Sequence, residues 1–468
     1  MTLTNIAAAC NGKLQGLNSN ENKKISGVAI DSRLVKKDYL FIATPGEKVD
    51  GHDFIQAAFE QGARAVICEK VPSHAKGPYI LVDDSLLALR QIATWYRLQL
   101  DIKVVGITGS VGKTSAKEFV SNVLSQKYNI LKTEGNFNNE IGLPLTILRI
   151  RDYHEIAVLE MGINHFGEMS RLSNIAKPDI AIITNIGDSH LEFLGSRQGV
   201  LKAKSEIFDF INPDAKVILN GNDPLLTSIQ EVKGQKPIFF GIDYQNHQEA
   251  SSDNRNSLDI YATDIKSQGL YGSTCNIHSK DQLLKANIPI PGQHMIYNAL
   301  IAATTGLVFK LPPNMIADGI QSIKSLGGRN NIIKHNKFTI IDDCYNANPV
   351  SMKAALDLLE MADTRKVAVI GDMGELGDKE IDLHTEVGRY ATSKKIDVLV
   401  CIGPLSKNTY HAVTNNPTPS SISKSLYYKT KEEFIEDYQT IIKEEDTILI
   451  KASNYMGFNN IIEVLLKS

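Results

Sequence analysis

VVGITGSVGKTS, at residues 104–115, passes from an apolar strand-like run through a glycine-rich turn into a helical pattern that begins near Lys113. Glycines allow backbone N–H groups to converge on phosphate oxygens, and the first turn of a helix adds partial positive charge there. The segment therefore predicts a phosphate-binding loop, or P-loop, between a strand and a helix. A chain with such a loop is expected to bind a nucleoside triphosphate.

The P-loop departs from the common G-x-x-x-x-G-K-[ST] spacing, because Ile107 stands where the first glycine is expected. Lys113 has the reach to contact terminal phosphates, and the Thr114 hydroxyl is placed to bind Mg²⁺. A chance G-K-T triplet would rarely have both a preceding strand and a following helical pattern. The residues predicted to bind ATP here are Thr108, Gly109, Ser110, Val111, Gly112, Lys113, Thr114 and Ser115.

Strand-like and helical segments alternate from residue 103, which predicts an α/β fold. The central part is expected to be a doubly wound, mainly parallel sheet that carries the P-loop, with antiparallel strands in the polar region 243–287. The alternation restarts near residue 330 and predicts a C-terminal Rossmann-like domain. With a small α/β N-terminal domain, the predicted domains span 1–100, 101–312 and 313–468.

Composition excludes several classes of protein. The 468 residues carry a formal net charge of −3 and a pI near 6.4, which provides no basic field for nucleic acid. The five cysteines are scattered without C-x-x-C spacing, which argues against a disulfide framework or a zinc site. The N-terminus has no signal-peptide pattern, and no apolar run reaches the length of a membrane span. We expect a cytoplasmic monomer that acts on small molecules and is not inserted into a membrane.

Polar residues that follow the strands of a parallel sheet are expected to converge at one edge, where ligands bind. Thr114, Glu160 and His190 each lie at or beyond the end of such a strand. A hydroxyl, a carboxylate and an imidazole beside a nucleotide suit Mg²⁺, although Mg²⁺ prefers oxygen. The spacing alone leaves two other interpretations open: Glu160 as a structural cap or ion pair, and His190 as a surface loop residue.

Lys204 lies on an apolar helix face, because Val200, Leu201, Ile207 and Phe208 are its neighbours three and four residues away. In one interpretation the stem is packed and the ammonium reaches water. In the other, desolvation keeps the amine neutral, so that it reacts with CO₂ to give a carbamate that serves as an oxygen ligand for Mg²⁺. The pattern alone does not separate the two.

The motifs together resemble the Mur ligases, the ATP-dependent amide-forming enzymes of peptidoglycan precursor synthesis, over nearly the whole chain. TGSVGKT is similar to the family's short P-loop, and EMGINHFGEM, HLE and AKSEIF, beginning at residues 160, 190 and 203, match its metal and carbamylated-lysine motifs. The resemblance implies that Asn298 lies at the adenine, Arg329 at the terminal phosphate and Asp343 at the ribose. The catalytic residues that it implies are Lys113, Glu160, His190, Lys204 and Arg329.

Further motifs resemble one branch of the family, which joins D-Ala-D-Ala to UDP-MurNAc-tripeptide. They are TEGNFNNEIGLP at 133–144, DDCYNANPVSM at 342–352 and GDMGELG at 371–377. DSR, LFIATPGE and DGHDF, beginning at residues 31, 40 and 50, resemble the segment that holds the UDP group, although DSR by itself is better explained as a turn. The substrate-binding residues implied are Asp31, Ser32, Arg33, Phe41, Gly46, Asp50, Gly51, His52, Asn138, Asn139, Asn346, Asn348, Lys451 and Ser453. The chain departs from the family pattern at Met295, Cys344 and Asn454.

The resemblance implies ATP-dependent amide formation through an acyl phosphate. ATP, two Mg²⁺ ions and a CO₂-derived carbamate on Lys204 are the expected cofactors, with Thr114, Glu160, His190 and Lys204 as the metal ligands. Two enzyme alternatives are a sister ligase that adds the third peptide residue and folylpolyglutamate synthase, and the motifs at 342–352 and 371–377 argue against both. A P-loop switch that hydrolyses nucleotide without an amine acceptor is the alternative from another class.

Overall fold

The computed structural model describes residues 1–17, 23–46, 49–72, 76–243, 258–280, 282–324, 327–328, 331–416 and 420–467. The chain divides into two compact units. The first comprises residues 1–108, 128–182 and 205–216, and the second comprises 109–127, 183–204 and 217–468. The strands of the described residues belong to three sheets of five, nine and six strands.

The first sheet lies in the first unit and has the strand order β1-β5-β4-β3-β2. Strands β2 to β5 are parallel, and β1 is antiparallel to β5. Alternate side chains of β3 and β4 pack with helix α2 in an apolar core. The elements are α1 (Leu3–Ala9), β1 (Lys13–Gln15), β2 (Gly27–Ala29), β3 (Tyr39–Ile42), α2 (Ile55–Glu60), β4 (Ala65–Cys68), β5 (Tyr79–Leu81) and α3 (Ser85–Leu98).

In the second sheet β8 lies between β6 and β7 and is parallel to both, and β9 lies beside β6. Strand β8 is fully buried, as the apolar run at residues 156–159 predicts for a strand inside a parallel sheet. The elements in this stretch of sequence are β6 (Lys103–Thr108), α4 (Lys113–Leu124), β7 (Ile130–Lys132), α5 (Gly142–Ile147), β8 (Ile156–Glu160), α6 (Glu168–Ala176) and β9 (Ile180–Ile183).

Strands β10, β11 and β12 are parallel, and β12, β13 and β14 form an antiparallel meander. The antiparallel strands expected in this region are therefore confirmed. The elements are α7 (Leu191–Leu194), α8 (Arg197–Ser205), β10 (Lys216–Asn220), β11 (Ile238–Ile242), β12 (Ile260–Ser267), β13 (Ser273–His278), β14 (Leu283–Ile288), α9 (Gln293–Val308) and α10 (Pro313–Gln321).

The third sheet has the order β15-β16-β20-β17-β18-β19, with only β15 antiparallel to its neighbour among the described strands. Apolar clusters cover both faces, which gives the three layers of a Rossmann-like domain. The elements are β15 (Asn331–Lys334), β16 (Thr339–Asp342), α11 (Pro349–Glu360), β17 (Lys366–Gly371), α12 (Glu380–Thr392), β18 (Val398–Ile402), α13 (Ser406–Thr414), β19 (Lys424–Tyr428), α14 (Lys431–Ile441), β20 (Thr447–Lys451) and α15 (Asn459–Leu465).

The predicted α/β class, with a P-loop sheet and a Rossmann-like C-terminal part, is confirmed. The domain boundaries at 100/101 and 312/313 stay a prediction. One predicted helix is shorter than expected, because α8 ends at Ser205 and residues 206–208 form a 3-10 turn. In that turn the Glu206 carboxylate accepts a hydrogen bond from the backbone N–H of Gly167, just before α6, with 2.9 Å between the nitrogen and Oε2. No helix among the described residues is long and apolar enough to cross a membrane.

Candidate nucleotide and metal site

The P-loop conformation requires glycine at two positions. Gly109 has a φ of 149°, and a Cβ there would lie 1.9 Å from the Thr184 Oγ1 atom. Gly112 has a φ of 83° and precedes the first residue of α4. Other residues adopt this region of φ only with strain, so these two glycines define a loop of four residues between β6 and α4.

The missing glycine at Ile107 has a structural explanation. Ile107 is a buried residue of β6 and does not belong to the loop. The preceding Gly106 serves packing, because a Cβ there would lie 2.9 Å from the Met161 Sδ atom and 3.1 Å from Pro178 Cγ. The loop is therefore shorter than the common motif rather than defective.

Two residues that the sequence reasoning missed support the P-loop. Thr184 Oγ1 donates to the Val111 carbonyl at 2.7 Å. The Asn185 side chain accepts from the Val111 N–H and donates to the Val111 carbonyl, each at 3.0 Å. Their position directly after the strand sequence DIAII could have identified them, since polar residues at the carboxyl ends of parallel strands line ligand sites.

Lys113 and Thr114 stand in the first turn of α4, where backbone N–H groups face the loop. The Lys113 ammonium donates to the Gly109 carbonyl at 2.8 Å. The Thr114 side chain is buried. The start of a helix, a lysine held over the loop and a buried hydroxyl form a site suited to the phosphates of a nucleotide.

Lys204 is only 1% exposed, so its ammonium does not reach water. Burial lowers the pKa of the Lys204 amine well below its usual value, and the charge of Lys113 lowers it further. The interpretation in which the stem is packed and the ammonium is solvated is therefore wrong. A neutral amine is the form that reacts with CO₂, so the residue fits the carbamate, which stays a prediction.

His190 is not an ordinary surface residue. Its side chain is 19% exposed, and its Nδ1 atom lies 3.0 Å from the Glu375 Oε2 atom. The His190 contact is the main cause that lowers the pKa of the Glu375 carboxyl. His190 thus faces a carboxylate that the sequence reasoning did not identify.

Glu160, in the first unit, is a buried carboxylate at the last position of β8. Its Oε1 atom accepts from the Asn138 side chain at 2.8 Å, and its backbone N–H donates to Thr133 Oγ1 at 3.0 Å. The family resemblance predicts Asn138 as a substrate-binding residue, and in the structure its side chain orients Glu160. A buried carboxylate with one oriented oxygen suits a cation ligand.

The donors predicted for Mg²⁺ are chemically appropriate. A hydroxyl, a carboxylate and a carbamate supply oxygens, with one imidazole in addition. The described residues contain no cluster of three or more His, Cys, Asp or Glu side chains arranged for a metal, but the predicted set includes a threonine and a lysine. The buried amine of Lys204 and the buried hydroxyl of Thr114 fit the expected group.

Three residues predicted to bind nucleotide or substrate in the C-terminal part of the chain, Asp343, Asn346 and Lys451, meet at a buried ion pair. The Lys451 ammonium lies 2.7 Å from Asp343 Oδ2 and donates to the Asn346 carbonyl at 2.9 Å. Lys451 is buried, so its charge is compensated within the protein. Arg329, the predicted terminal-phosphate contact, lies outside the described residues.

Asn298 is buried in α9 close to the P-loop. A Cβ on Gly112 would lie 3.5 Å from the Asn298 Oδ1 atom. The structure therefore brings Asn298 to the start of α4, whereas its predicted role at the adenine stays a prediction.

Several predicted substrate residues of the first unit have structural roles. Asp31 caps a 3-10 turn and binds Arg33, so the interpretation of DSR as a turn describes its conformation. Phe41 is buried in the core of the first sheet. His52 links Asp50 to the Glu69 backbone N–H, at 2.6 and 2.8 Å.

The remaining predicted substrate residues mostly shape the backbone. Gly46 and Gly51 approach other backbone atoms so closely that a Cβ would lie 2.8 Å from the Val49 carbonyl oxygen and 2.7 Å from the Thr44 nitrogen. Three others stabilise local structure through their side chains: Asn139 before α5, Asn348 at the start of α11, and Ser453, which accepts from the Gly374 N–H. Arg33 and Ser32 complete the set, the first exposed and the second buried.

Three family models match the chain. They are described as Mur ligase family, catalytic domain, at residues 24–97; Mur ligase middle domain, at 107–306; and Mur ligase, glutamate ligase domain, at 328–454. The matched residues include β2 to β5 of the first sheet, β7 to β14 of the second and β15 to β20 of the third.

Full-length relatives are similar in sequence and structure. The UDP-N-acetylmuramoyl-tripeptide--D-alanyl-D-alanine ligase of Bacillus subtilis (strain 168) is 38% identical over 472 residues, which is 100% of this chain and 98% of the relative. Crystal structure I of MurF from Acinetobacter baumannii has a TM-score of 0.89 at 29% identity and covers 100% of this chain and 99% of its own. MurF ligase from Thermotoga maritima in complex with ADP has a TM-score of 0.81 at 28% identity, with 96% and 99% covered.

Proposed function

The chain belongs to the Mur ligase family, and we infer that it joins D-alanyl-D-alanine to UDP-N-acetylmuramoyl-tripeptide in an ATP-dependent reaction of peptidoglycan synthesis. The structural observation that carries this inference is the burial of Lys204 in the compact unit that also contains the P-loop residue Lys113. The charge of Lys113 contributes to the lowered pKa of Lys204. A nucleotide switch has no need of such a buried amine, whereas a ligase that uses a carbamate does.

The reaction needs an activated carboxylate, because amide formation from a carboxylate and an amine is unfavourable in water. We propose that the tripeptide carboxylate attacks the γ-phosphorus of ATP, that ADP leaves, and that the D-Ala-D-Ala amine displaces phosphate from the acyl phosphate. Such catalysis consists mostly of positioning and charge neutralisation. Lys113 would neutralise the transferring phosphoryl group, and Arg329 would assist it.

The residues proposed to hold Mg²⁺ are Thr114, Glu160, His190 and Lys204 as its carbamate. Bound Mg²⁺ supplies positive charge to the phosphate oxygens. This chain's own contribution is to bury the donors and to orient them, as Asn138 orients one Glu160 oxygen. Two metal ions remain part of the proposal.

Asn298 is proposed to contact the adenine and Asp343 the ribose. The UDP group is proposed to bind the first hundred residues, and D-Ala-D-Ala the C-terminal domain that begins at residue 313. We further propose that the protein acts as a monomer in the cytoplasm, where ATP is supplied.

An assay of ADP release from ATP tests the function. With UDP-MurNAc-tripeptide as the carboxylate substrate, ADP should be released over many turnovers only when D-Ala-D-Ala is present as the amine acceptor, and product should accumulate in equal amount. ADP formed equally fast without the dipeptide would contradict the ligase function and favour a nucleotide switch.

A further inference from the structure

The loop of residues 373–377, here called the 375 loop, packs directly on the segment 190–192 of the same unit. Glu375 Oε2 lies 3.0 Å from His190 Nδ1. A Cβ on Gly377 would lie 3.3 Å from the Glu192 Cα atom. The contact is therefore made by backbone and side chain together, and the proposed reaction does not account for it.

Both partners hold an unusual backbone conformation. His190 has a φ of 54° and Glu375 has a φ of 60°, in the left-handed region that residues with a Cβ rarely adopt. Glycine would adopt the conformation more easily at either position. The surrounding structure maintains the left-handed conformation at both residues. As a result, the imidazole of His190 and the carboxylate of Glu375 face each other.

The contact determines which nitrogen of His190 is available to a ligand. His190 Nδ1 is buried and has no hydrogen-bond partner among the described residues, so the Glu375 contact is close but is not aligned for a hydrogen bond. A histidine that binds a metal through one nitrogen typically donates the other N–H to a carboxylate, which fixes the ring. Catalytic hydrogen bonds are often poorly aligned before substrates bind.

We propose that Glu375 is a positioning residue that holds the His190 ring through Nδ1 and leaves Nε2 to bind the metal. The inference rests on the proposed function, in which His190 is a metal ligand. Its consequence is that the 375 loop, which comes from the C-terminal sheet, completes a metal ligand that follows β9. Metal affinity then depends on the docking of this loop.

The test measures binding of Mn²⁺ by electron paramagnetic resonance, with the full chain and a non-hydrolysable ATP analogue. Glu375→Gln should weaken Mn²⁺ binding about 10-fold or more, the range seen when a carboxylate behind a metal-binding histidine is lost. Asp378→Asn is the matched control, because Asp378 is an exposed carboxylate three residues away, and it should leave the affinity unchanged. Glycine adopts the backbone conformation of residue 375 easily, so Glu375→Gly removes the carboxylate without adding strain. This variant should also weaken Mn²⁺ binding, and the loss would then be due to the missing side chain.

A double variant separates positioning from general stability. In a His190→Ala background, Glu375→Gln should cause no further loss of Mn²⁺ affinity, because the two residues act as one unit. Unchanged affinity in Glu375→Gln, or an equal loss with and without His190, would overturn the proposal. Failure of the ligase function would show separately, as wild-type ADP release that does not depend on D-Ala-D-Ala.

Discussion

At the scale of single residues, the sequence located Lys204 correctly but left its chemistry open. Apolar neighbours three and four residues away were enough to predict that its stem is buried. Whether the ammonium reaches water depends on residues far away in sequence, and only the structure shows that it does not. The same holds for Gly109, whose requirement for glycine comes from Thr184, 75 residues further on.

Replacement of Lys204 tests the carbamate at this scale. Lys204→Ala should lower kcat about 100-fold, comparable to the loss of one preorganised electrostatic group, because the predicted oxygen ligand is removed. Short carboxylic acids added to this variant should restore part of the activity, since they fit the vacated space and supply a carboxylate. Steady-state kinetics with and without added acetate or formate would measure both effects.

Lys202→Ala is the control, because Lys202 lies on the same helix but is exposed. It should keep wild-type activity and show no response to the added acids. Full activity of Lys204→Ala, or the absence of any rescue, would count against the carbamate.

At the scale of elements, the alternating apolar runs predicted the parallel strands of the P-loop sheet and of the C-terminal sheet. The end of α8 was missed because helix periodicity continues into residues 206–208, where Glu206 instead binds the start of α6. The P-loop supports Thr184 and Asn185 were missed for a similar reason. A side chain that stabilises a different helix or loop leaves no periodic pattern in the sequence of the element to which it belongs.

The helix α12 provides a prediction of pH dependence. His384 is buried, its Nε2 atom accepts from the Met373 N–H at 2.9 Å, and its Nδ1 atom lies 2.6 Å from the Glu380 carbonyl oxygen. Burial lowers the pKa of His384 below the ordinary value of 6.5. Above pH 6.5 the residue is neutral in the folded and unfolded states, and below that value the unfolded chain takes up a proton that the folded protein excludes.

The free energy of unfolding should therefore fall as the pH is lowered from 6.5, by at most about 1.4 kcal/mol per pH unit from this one group. Urea unfolding at pH 7.5 and 5.5 measures the change. His384→Gln should reduce this pH dependence, whereas His411→Gln, at an exposed position of α13, should not. An identical pH dependence in wild type and His384→Gln would rule out the assigned role.

At the scale of the whole molecule, the sequence was sufficient for the fold class and for the family, because the motifs that carry both are contiguous. It was not sufficient for the partners of the site residues. Glu375 meets His190 across 185 positions of sequence, and Lys451 meets Asp343 across 108. Such pairs depend on how the sheets are built, so spacing within a motif does not contain them.

Nucleotide binding should stabilise the folded molecule through the P-loop. A ligand that binds only the folded state adds about 2.7 kcal/mol at a concentration 100 times its Kd, so ADP with Mg²⁺ should raise the unfolding temperature measured by calorimetry. Lys113→Met should abolish most of this increase, because the lysine that now donates to the Gly109 carbonyl is the one predicted to reach the phosphates. Lys127→Met, at an exposed position just after α4, should retain it. If ADP with Mg²⁺ raised the unfolding temperature of Lys113→Met as much as that of the wild type, the nucleotide would have to bind elsewhere. Binding at the P-loop is expected to need the charge of Lys113.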